Sequence, residues 1–464
     1  MAIKRTTGAE QPHIPLGIFK LRIPFLHYRF EFPEAMQAIL MCATCLGAIP
    51  VLTYYLGLPH EIAWAMVIIN GFMYFLHASL GDPVVPGWIT PAIPLVIAHV
   101  VQWDMGPERI QAIVALQLIV AAIFLLMGIT GIAKRLMSRI PRSIQAGILL
   151  GAGIVAVYNE FLPTGRFNTF PISVGVAGLL AYFVLFSSAF KALRERNRII
   201  NKIGSFGMLP AILLGVIIGP LAGEIPTPQV EMGSFIFIPP IREVIATVSP
   251  FAIGFPTLEM FLTALPLAFM AYVIAFGDLV TSDALIGGAG KERPDEKIDN
   301  NPNRSNLICA IRNGFMALVA PYPQLCGPIW TAVTAAIAQR YKEGRRAMDS
   351  IYSGVGMFRL FTAFYIMLFP IATLLRPVLP VALSLTMLVT GFICLSIGMS
   401  LCTTDKERSI AGVMGCVLAV QGAVWGMAVG IILYLLLDCN FVSKPQAALE
   451  AGTEKKEPEE SDKE

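Results

Sequence analysis

The chain has 464 residues, of which 56% are hydrophobic and only 14% are charged, and its mean hydropathy is +0.69. This composition is typical of a helical membrane protein with many spans and excludes an ordinary soluble domain. The formal net charge is only +3, and the basic clusters fit orientation in a bilayer and contact with anionic lipid, so we expect no nucleic-acid partner.

Motifs of enzymes and of ATP-driven pumps are absent from the sequence. It contains no P-loop, no HExxH and no GxSxG in a strand–turn–helix context, so we expect neither activity. Cys42 and Cys45 form a CxxC without another Cys or a His nearby, and we expect them to be small packing residues. The sequence therefore predicts no metal site and no cofactor, apart from H⁺ or Na⁺ as a coupling ion.

The apolar segments, taken in chain order, predict fourteen transmembrane spans. Residues 1–32 form a basic amphipathic lead that precedes them. The spans are expected at about 33–55, 62–79, 83–103, 108–131, 141–160, 169–190 and 205–222, and then at about 259–285, 305–320, 321–340, 350–374, 377–401 and a shallow hairpin of two spans in 409–438. A Pro-rich extracytoplasmic connector, 223–258, separates the two sets of seven, and the acidic tail 439–464 is expected to be disordered.

The distribution of basic residues gives the orientation. Of the 34 Lys and Arg residues, 28 fall in segments that this arrangement places in the cytoplasm and four in the outer loops. Because cytoplasmic loops are enriched in Lys and Arg, we expect both termini to be cytoplasmic, in a cell membrane that we take to be a bacterial inner membrane.

The two sets of spans resemble each other. Paired landmarks recur in the same order: Phe32-Pro33 with Phe255-Pro256, Pro91 with Pro328, and Pro141 with Pro377. Because seven is an odd number, the second repeat (259–438) must be inverted in the membrane relative to the first (33–222). The predicted fold class is therefore an all-α polytopic protein built from two inverted seven-span repeats.

Spans 3 and 10 are interrupted by proline and glycine. Gly81–Val101 and Ala320–Arg340 each begin with an extended Pro-rich stretch and continue as an apolar helix. We expect Thr90 to be the N-cap with Pro91 as the first helical residue, and Pro328 to begin the second helix. Broken helices at corresponding positions of two repeats indicate a transporter's binding site, with half-helix N-termini facing the solute.

Polar residues near these breaks and in span 8 are the candidate site. The solute-binding candidates are Gln37, Thr90, Pro91, Asp278, Gln324, Cys326, Gly327 and Thr331. A carboxylate inside a span is costly and usually functional, so Asp278 is predicted to face the cavity and couple transport to H⁺ or Na⁺; an ion pair inside the protein is the alternative. Asp283 is a second coupling candidate, although a structural ion pair with Arg312 is favoured for it.

Three further polar residues within the spans have other predicted roles. We expect His77 and Asn70 to make hydrogen bonds between helices rather than to bind solute. Arg359 could be an anion ligand, or it could extend its side chain toward the cytoplasmic surface.

The segment 277–351 resembles a known superfamily. G-D-L-V-T-S-D-A-L, a charged loop, N-R-S-N-L-I-C-A-I-R-N-G, C-G-P-I-W-T-A-V and a basic G-R-R follow one another as in sulfate permeases (SulP). With I-P-R-S-I-Q-A-G-I in span 5, the likeness extends over about 33–438 to the sulfate permease and nucleobase–cation symporter superfamily. It implies a core and a gate domain, a homodimer, a solute site between spans 3, 8 and 10, and elevator-type movement.

The sequence departs from these relatives in two places. Nucleobase symporters usually carry a carboxylate in span 10, and 321–340 contains no Asp or Glu. Sulfate permeases usually carry a STAS domain after the last span, where this chain has only 439–464, so we expect an outlying branch without that domain. The favoured function is a secondary active transporter of a small oxyanion or carboxylate. A nucleobase permease and a passive anion channel are the alternatives.

Overall fold

The computed structural model describes residues 3, 5–133, 135, 139–205 and 208–437. The tail 439–464, which we expect to be disordered, lies outside the described residues. The described α-helices are α1 (Phe32–Leu46), α2 (Ile49–Leu56), α3 (His60–Leu80), α4 (Ile93–Val100), α5 (Pro107–Thr130), α6 (Arg142–Phe161), α7 (Arg166–Thr169), α8 (Pro171–Phe186), α9 (Ser188–Arg196), α10 (Arg198–Ser205), α11 (Leu209–Leu221), α12 (Ile241–Val248), α13 (Pro250–Ile253), α14 (Leu258–Glu292), α15 (Pro302–Val319), α16 (Thr331–Lys342), α17 (Ile351–Ile366), α18 (Phe369–Leu375), α19 (Leu379–Leu401), α20 (Asp405–Gln421) and α21 (Ala423–Leu437).

Short extended and 3₁₀ elements complete the described chain. The strands are β1 (Ile14–Leu16), β2 (Phe19–Leu21), β3 (Gly87–Trp88) and β4 (Cys326–Gly327), and the 3₁₀ turns are Thr90–Ala92 and Arg376–Val378. β1 pairs with β2 and β3 pairs with β4, both antiparallel. The second of these sheets joins the two breaks predicted from the sequence.

The helices confirm a multi-pass membrane protein. Within the described part, six helical segments are long and apolar enough to cross a membrane, and a seventh is added if α8 and α9, which meet at 64°, form one span. Four shorter apolar helices accompany them: Thr90–Val100, Pro210–Leu221, Ile351–Ile366 and Ala423–Leu437. Fourteen spans and the inverted relation of the repeats stay predictions.

Helix packing places the breaks between two groups of helices. α5 contacts α14 and α15, while α6 contacts α19 and α20. The short α4, which follows the first break, contacts both α5 and α6. α14 contacts α16 and the 3₁₀ turn Thr90–Ala92, so it touches the helical part of each broken segment. These contacts bring span 8 to both breaks.

The interpretation of 409–438 as a hairpin agrees with the structure. α20 and α21 pack against each other and are joined at Gly422, whose φ is 85°. A left-handed φ costs little at glycine because it has no Cβ, so the chain can reverse there within one residue.

Both predicted helix starts at the breaks are wrong by a few residues. Thr90 is not an N-cap: it begins a 3₁₀ turn whose N-cap is Ile89, and Pro91 is the second residue of that turn. Pro328 does not begin the second helix, which starts at Thr331. The reason is the pairing of β3 with β4, because it keeps the backbone extended past the prolines as far as Trp330.

The N-terminal lead is folded rather than a simple amphipathic segment. Its hairpin, β1 and β2, is followed by Arg22, whose guanidinium carbon lies 3.7 Å from the ring centroid of Tyr352 on α17. Arg5 is buried and forms ion pairs of 3.0 Å with both Asp295 and Glu296. The lead therefore docks onto the loop between α14 and α15.

Candidate solute site at the crossing of the two breaks

The two breaks form one short antiparallel ladder. Gly87 lies opposite Gly327 and Trp88 opposite Cys326. The ladder continues on both sides, because the N–H of Ile89 donates to the carbonyl of Leu325 at 2.9 Å, and the N–H of Trp330 to that of Val85 at 2.5 Å. The two breaks predicted from the sequence are therefore joined by direct backbone hydrogen bonds.

Gly87 allows the backbones to approach this closely. A Cβ built at Gly87 would lie 2.8 Å from the carbonyl oxygen of Ile329 and 3.1 Å from Cα of Trp330. Gly327 is only slightly less crowded, with Ile89 Cγ1 at 3.1 Å. Real side chains essentially never make contacts as short as the first, so the crossing requires glycine at position 87.

The two helical starts next to the ladder leave backbone N–H groups without side-chain caps. No side chain caps the 3₁₀ turn at Thr90–Ala92, the start of α4 or the start of α16. The Thr90 hydroxyl instead donates to the carbonyl of Trp88 at 3.4 Å. At the first start Pro91 has no N–H and that of Ala92 donates to the carbonyl of Ile89 at 2.9 Å, so only the N–H of Thr90 remains in the turn. Because the N-terminus of a helix carries free donors and a partial positive charge, the start of α16 is better suited to an anion.

Exposure separates the predicted site residues into two groups. Thr90 and Pro91 are half-buried and Thr331 is exposed, so these three at the helical starts are accessible. Gln324, Cys326 and Gly327 are buried, on the protein side of the crossing. Solute contact through these three residues stays a prediction.

Two tryptophans at the crossing escaped the sequence analysis. Trp88 and Trp330 are both half-buried; Trp330 immediately precedes α16, and Trp88 lies two residues before the turn Thr90–Ala92. The ring of Trp330 packs edge-on at 6.2 Å from that of Phe358 on α17. The signal was present in the sequence, since each break has one Trp two or fewer residues before a threonine.

Asp278 lies on α14, which contacts α16 and the turn Thr90–Ala92, and Gln37 lies on α1, which contacts α3 and α17. Asp278, on α14, is half-buried, and its carboxylate has no hydrogen bond or ion pair to any of the residues that the structure describes. The alternative of a structural ion pair for Asp278 therefore has no support here. Gln37, on α1, is also half-buried.

The predicted pair of Asp283 with Arg312 is wrong. Asp283 is exposed, and its Oδ1 accepts a hydrogen bond of 3.3 Å from Asn300. Arg312 is buried on α15 and points away from that region, donating at 2.8 Å to Oδ1 of Asn70. The bond from Arg312 to Asn70 confirms the predicted role of Asn70 between helices.

Two buried arginines, Arg312 and Arg359, lie close to residues of the crossing. The guanidinium carbons of Arg312 and Arg359 lie 2.9 and 4.5 Å from the ring centroid of Tyr74, and that of Arg359 lies 5.3 Å from the ring of Trp330. Neither arginine has a carboxylate partner within the described part of the chain. Arg359 is only 2% exposed, so its predicted extension to the surface is wrong. Buried positive charge without a counter-ion favours a nearby anion.

Buried polar side chains of α15 and α3 contact β4 at Cys326. The N–H of Cys326 donates to Oδ1 of Asn313 at 2.9 Å, and Nδ2 of Asn313 donates back to the Cys326 carbonyl at 3.3 Å. His77 contacts Asp82, the Cys326 sulfur and, on α15, the Cys309 sulfur; the last of these is the predicted contact between helices. One asparagine thus satisfies both backbone groups of the strand residue.

Comparison with known proteins finds similarity to membrane transporters. Residues 60–235 match the family model described as benzoate membrane transport protein. No curated protein matches the sequence.

Solved structures share the fold over most of the chain. Murine Slc26a9, an anion transporter in its inward-facing state, is 12% identical, with a TM-score of 0.53 over 88% of this chain and 68% of its own. A second structure, of SLC26A9, is 13% identical, with a TM-score of 0.54 over 87% of this chain and 64% of its own. The transmembrane domain of the cyanobacterium bicarbonate transporter BicA is 14% identical, with a TM-score of 0.47 over 88% and 97%.

These comparisons confirm the expected helical membrane-transporter fold in outline. The chain has the helical transporter fold of these structures, and the matched proteins are transporters rather than enzymes. The prediction that this protein is not an enzyme is therefore confirmed.

Proposed function

We propose that this protein is a secondary active transporter of a small organic carboxylate with a flat apolar body. The observation that carries the proposal is the crossing itself, where two uncapped helical starts adjoin two half-buried indoles. Benzoate, which the matched family model names, combines these two chemical features. A simple oxyanion would use the helical starts and leave the indoles without a role.

The electrostatics at the crossing favour an anion over a neutral solute. The carboxylate would accept hydrogen bonds from the N–H of Thr90 and from N–H groups at the start of α16. Arg312 and Arg359 add positive charge from behind β4, where no carboxylate among the described residues neutralises them. The low dielectric of a membrane interior strengthens each of these attractions.

The indoles would hold the apolar part of the solute. Trp88 and Trp330 are each half-buried, so part of each residue stays accessible at the crossing. Offset or edge-on contacts between aromatic rings contribute about 0.5–1.5 kcal/mol beyond the burial of apolar area. We expect this contribution to separate aromatic acids from short aliphatic acids of the same charge.

Asp278 is the proposed coupling residue, for H⁺ or Na⁺. Its helix, α14, contacts both α16 and the 3₁₀ turn Thr90–Ala92, so a change in its charge acts on both halves of the site. A carboxylate without a partner can take up either a proton or a cation. We further propose an elevator-type movement of the crossing, in a homodimer in the bacterial inner membrane with both termini cytoplasmic.

Uptake by proteoliposomes tests the proposal. Vesicles containing the full chain are given radiolabelled benzoate under an imposed pH or Na⁺ gradient, in competition with cyclohexanecarboxylate, acetate, sulfate, bicarbonate or uracil. We expect uphill accumulation of benzoate that cyclohexanecarboxylate inhibits weakly and the small ions hardly at all. Inhibition only by sulfate or bicarbonate, or by uracil, would refute the carboxylate assignment in favour of an inorganic anion or a nucleobase.

The same vesicles distinguish a transporter from a channel. Coupled transport predicts accumulation above the equilibrium concentration, which collapses when the ion gradient is dissipated. Unitary anion currents in planar bilayers, without uphill accumulation, would support the passive channel instead.

A further inference from the structure

A compact group of metal-ligating side chains lies directly behind β4. His77 Nε2 is 3.6 Å from Cys326 Sγ and 4.0 Å from Cys309 Sγ, and the two sulfur atoms are 3.8 Å apart. His77 and Cys309 are fully buried and Cys326 is 2% exposed. The three residues come from α3, α15 and β4, so the fold rather than the local sequence assembles them.

The spacing of the three atoms fits a bound ion. Zinc–sulfur and zinc–nitrogen bonds of about 2.3 and 2.0 Å in tetrahedral geometry place neighbouring ligand atoms about 3.5–3.8 Å apart. The measured separations, 3.6 to 4.0 Å, therefore allow one ion to reach all three ligands with little movement of the backbone. Three ligands also leave a position for a fourth donor.

Neighbouring residues orient the histidine for this role. Nδ1 of His77 lies 2.9 Å from Oδ2 of Asp82, and the other oxygen of Asp82 accepts a bond of 2.9 Å from the Ser305 hydroxyl. A histidine that donates Nδ1–H to a carboxylate keeps its Nε2 lone pair available, and this arrangement is common at metal-binding histidines. The free nitrogen then faces the two thiols.

The charge and polarisability of the three ligands define the class of ion that they can bind. We propose that His77, Cys309 and Cys326 bind a thiophilic d¹⁰ ion, Zn²⁺ or Cu⁺. Thiolate ligands select such ions over Mg²⁺ or Ca²⁺, and two thiolates neutralise Zn²⁺. Arg312 Nη1 lies 2.7 Å from Cys326 Sγ and would remain as a hydrogen-bond donor to that thiolate.

The ion would tie the crossing to the helices behind it. β4 carries Cys326 and pairs with β3, while His77 and Cys309 belong to α3 and α15. A metal bond at Cys326 thus holds the extended segment of span 10 against two helices. The sequence gives no local signal for this group, because its three members are far apart along the chain.

Metal titration of the purified full chain tests the proposal. After chelation, the protein is titrated with Zn²⁺, with Cu⁺ under anaerobic conditions against a chromogenic chelator, and with Co²⁺ as a spectroscopic probe. We expect one equivalent of Zn²⁺ or Cu⁺ per chain and a sulfur-to-cobalt charge-transfer band in the near ultraviolet. The Zn²⁺ and Cu⁺ arms decide which ion binds more tightly.

Matched variants locate the site. Cys309→Ser should weaken binding at least tenfold and remove intensity from the cobalt band. Cys394→Ser, which changes another buried cysteine on α19, should bind like the unmodified protein. Equal binding by Cys309→Ser and the unmodified protein would refute the site, as would the absence of a stoichiometric ion in all three titrations.

A measurement on the unmodified protein covers the case in which a variant does not fold. Mass spectrometry after timed alkylation reports the reactivity of each cysteine with and without one equivalent of Zn²⁺. We expect the ion to protect Cys309 and Cys326 at least tenfold and to leave the exposed Cys416 unchanged. No protection, or a Cys309–Cys326 disulfide that forms in the presence of the ion, would overturn the proposal.

Discussion

Gly87 lies opposite Gly327 in the ladder that joins the two broken segments, and the position of each Cβ is crowded by the partner segment. The strands β3 and β4 form only two residue pairs, yet their pairing fixes the position of both helical starts. Gly87 and Gly327, 240 positions apart in the sequence, thereby help to build a single site, which links the half-helices of spans 3 and 10 mechanically.

Gly87→Ala should disrupt this crossing. The added Cβ would meet the carbonyl oxygen of Ile329 at 2.8 Å, so the two backbones must separate. We expect a loss of about 1–3 kcal/mol, typical of overpacking, and at least a tenfold loss of benzoate uptake. Thermal unfolding in detergent and proteoliposome uptake measure the two effects.

Gly412→Ala is the control, because it lies within α20 and its added Cβ would meet nothing within 4 Å. Replacing a glycine inside a helix should leave uptake unchanged and raise stability by about 0.5–1 kcal/mol. Equal uptake by Gly87→Ala and Gly412→Ala would show that the close approach of the breaks is unnecessary for transport.

Trp330→Ala should weaken the binding of aromatic acids selectively. Because the indole supplies apolar contact and not charge, we expect KM for benzoate to rise about tenfold, equivalent to about 1.4 kcal/mol, with a smaller change for Trp330→Phe. Trp425→Ala, at an exposed position on α21, should leave KM unchanged. An equal rise in KM for benzoate and for cyclohexanecarboxylate would argue against stacking on the ring.

The breaks were predictable because proline and glycine act locally. Pro83, Pro86 and Gly87 exclude a regular helix whatever surrounds them, so the positions of the breaks follow from sequence alone. The first helical residue does not, because pairing between β3 and β4 is a contact between distant segments. Because of that pairing, α16 starts at Thr331 and not at the predicted Pro328.

Partners of buried charges were less predictable than the breaks. Placing Asp283 and Arg312 in neighbouring spans gave no information on which way each side chain faces. The structure turns Arg312 toward Asn70 and leaves Asp283 exposed. The group of His77, Cys309 and Cys326 was invisible for the same reason, since its members meet only after three segments pack.

Asp278→Asn should abolish coupling while sparing solute binding. The amide has a similar shape but can carry neither a proton nor the charge that holds Na⁺. We expect uphill accumulation of benzoate to fall at least tenfold, whereas exchange of labelled for unlabelled benzoate persists. Asp283→Asn tests the second coupling candidate; because Asp283 is exposed and hydrogen-bonded only to Asn300 among the described residues, we expect this variant to keep uphill accumulation. Undiminished uphill accumulation by Asp278→Asn would exclude the proposed coupling role.

Arg5→Ala should release the N-terminal lead from the loop between α14 and α15. Arg5 is buried and pairs with Glu296, whose carboxylate is also buried. Removing the arginine side chain therefore leaves the charge of Glu296 unpaired inside the protein. Breaking one partner of a buried pair costs about 3–5 kcal/mol, and the unfolding temperature should fall accordingly. Arg29→Ala removes a more exposed arginine that pairs with Glu31 and should change stability by less than about 1 kcal/mol.

The pH dependence of this loss provides a sharper test of the same contact. Burial raises the pKa of Glu296 above its ordinary value, and the charge of Arg5 opposes that rise. Without Arg5 the folded-state pKa rises further, so the folded protein holds a proton that the unfolded chain releases, and stability falls more steeply as the pH increases. The deficit of Arg5→Ala in unfolding temperature should therefore be larger at pH 8 than at pH 5.5. A deficit that is independent of pH would show that lost packing, and not the unpaired carboxylate of Glu296, causes the destabilisation.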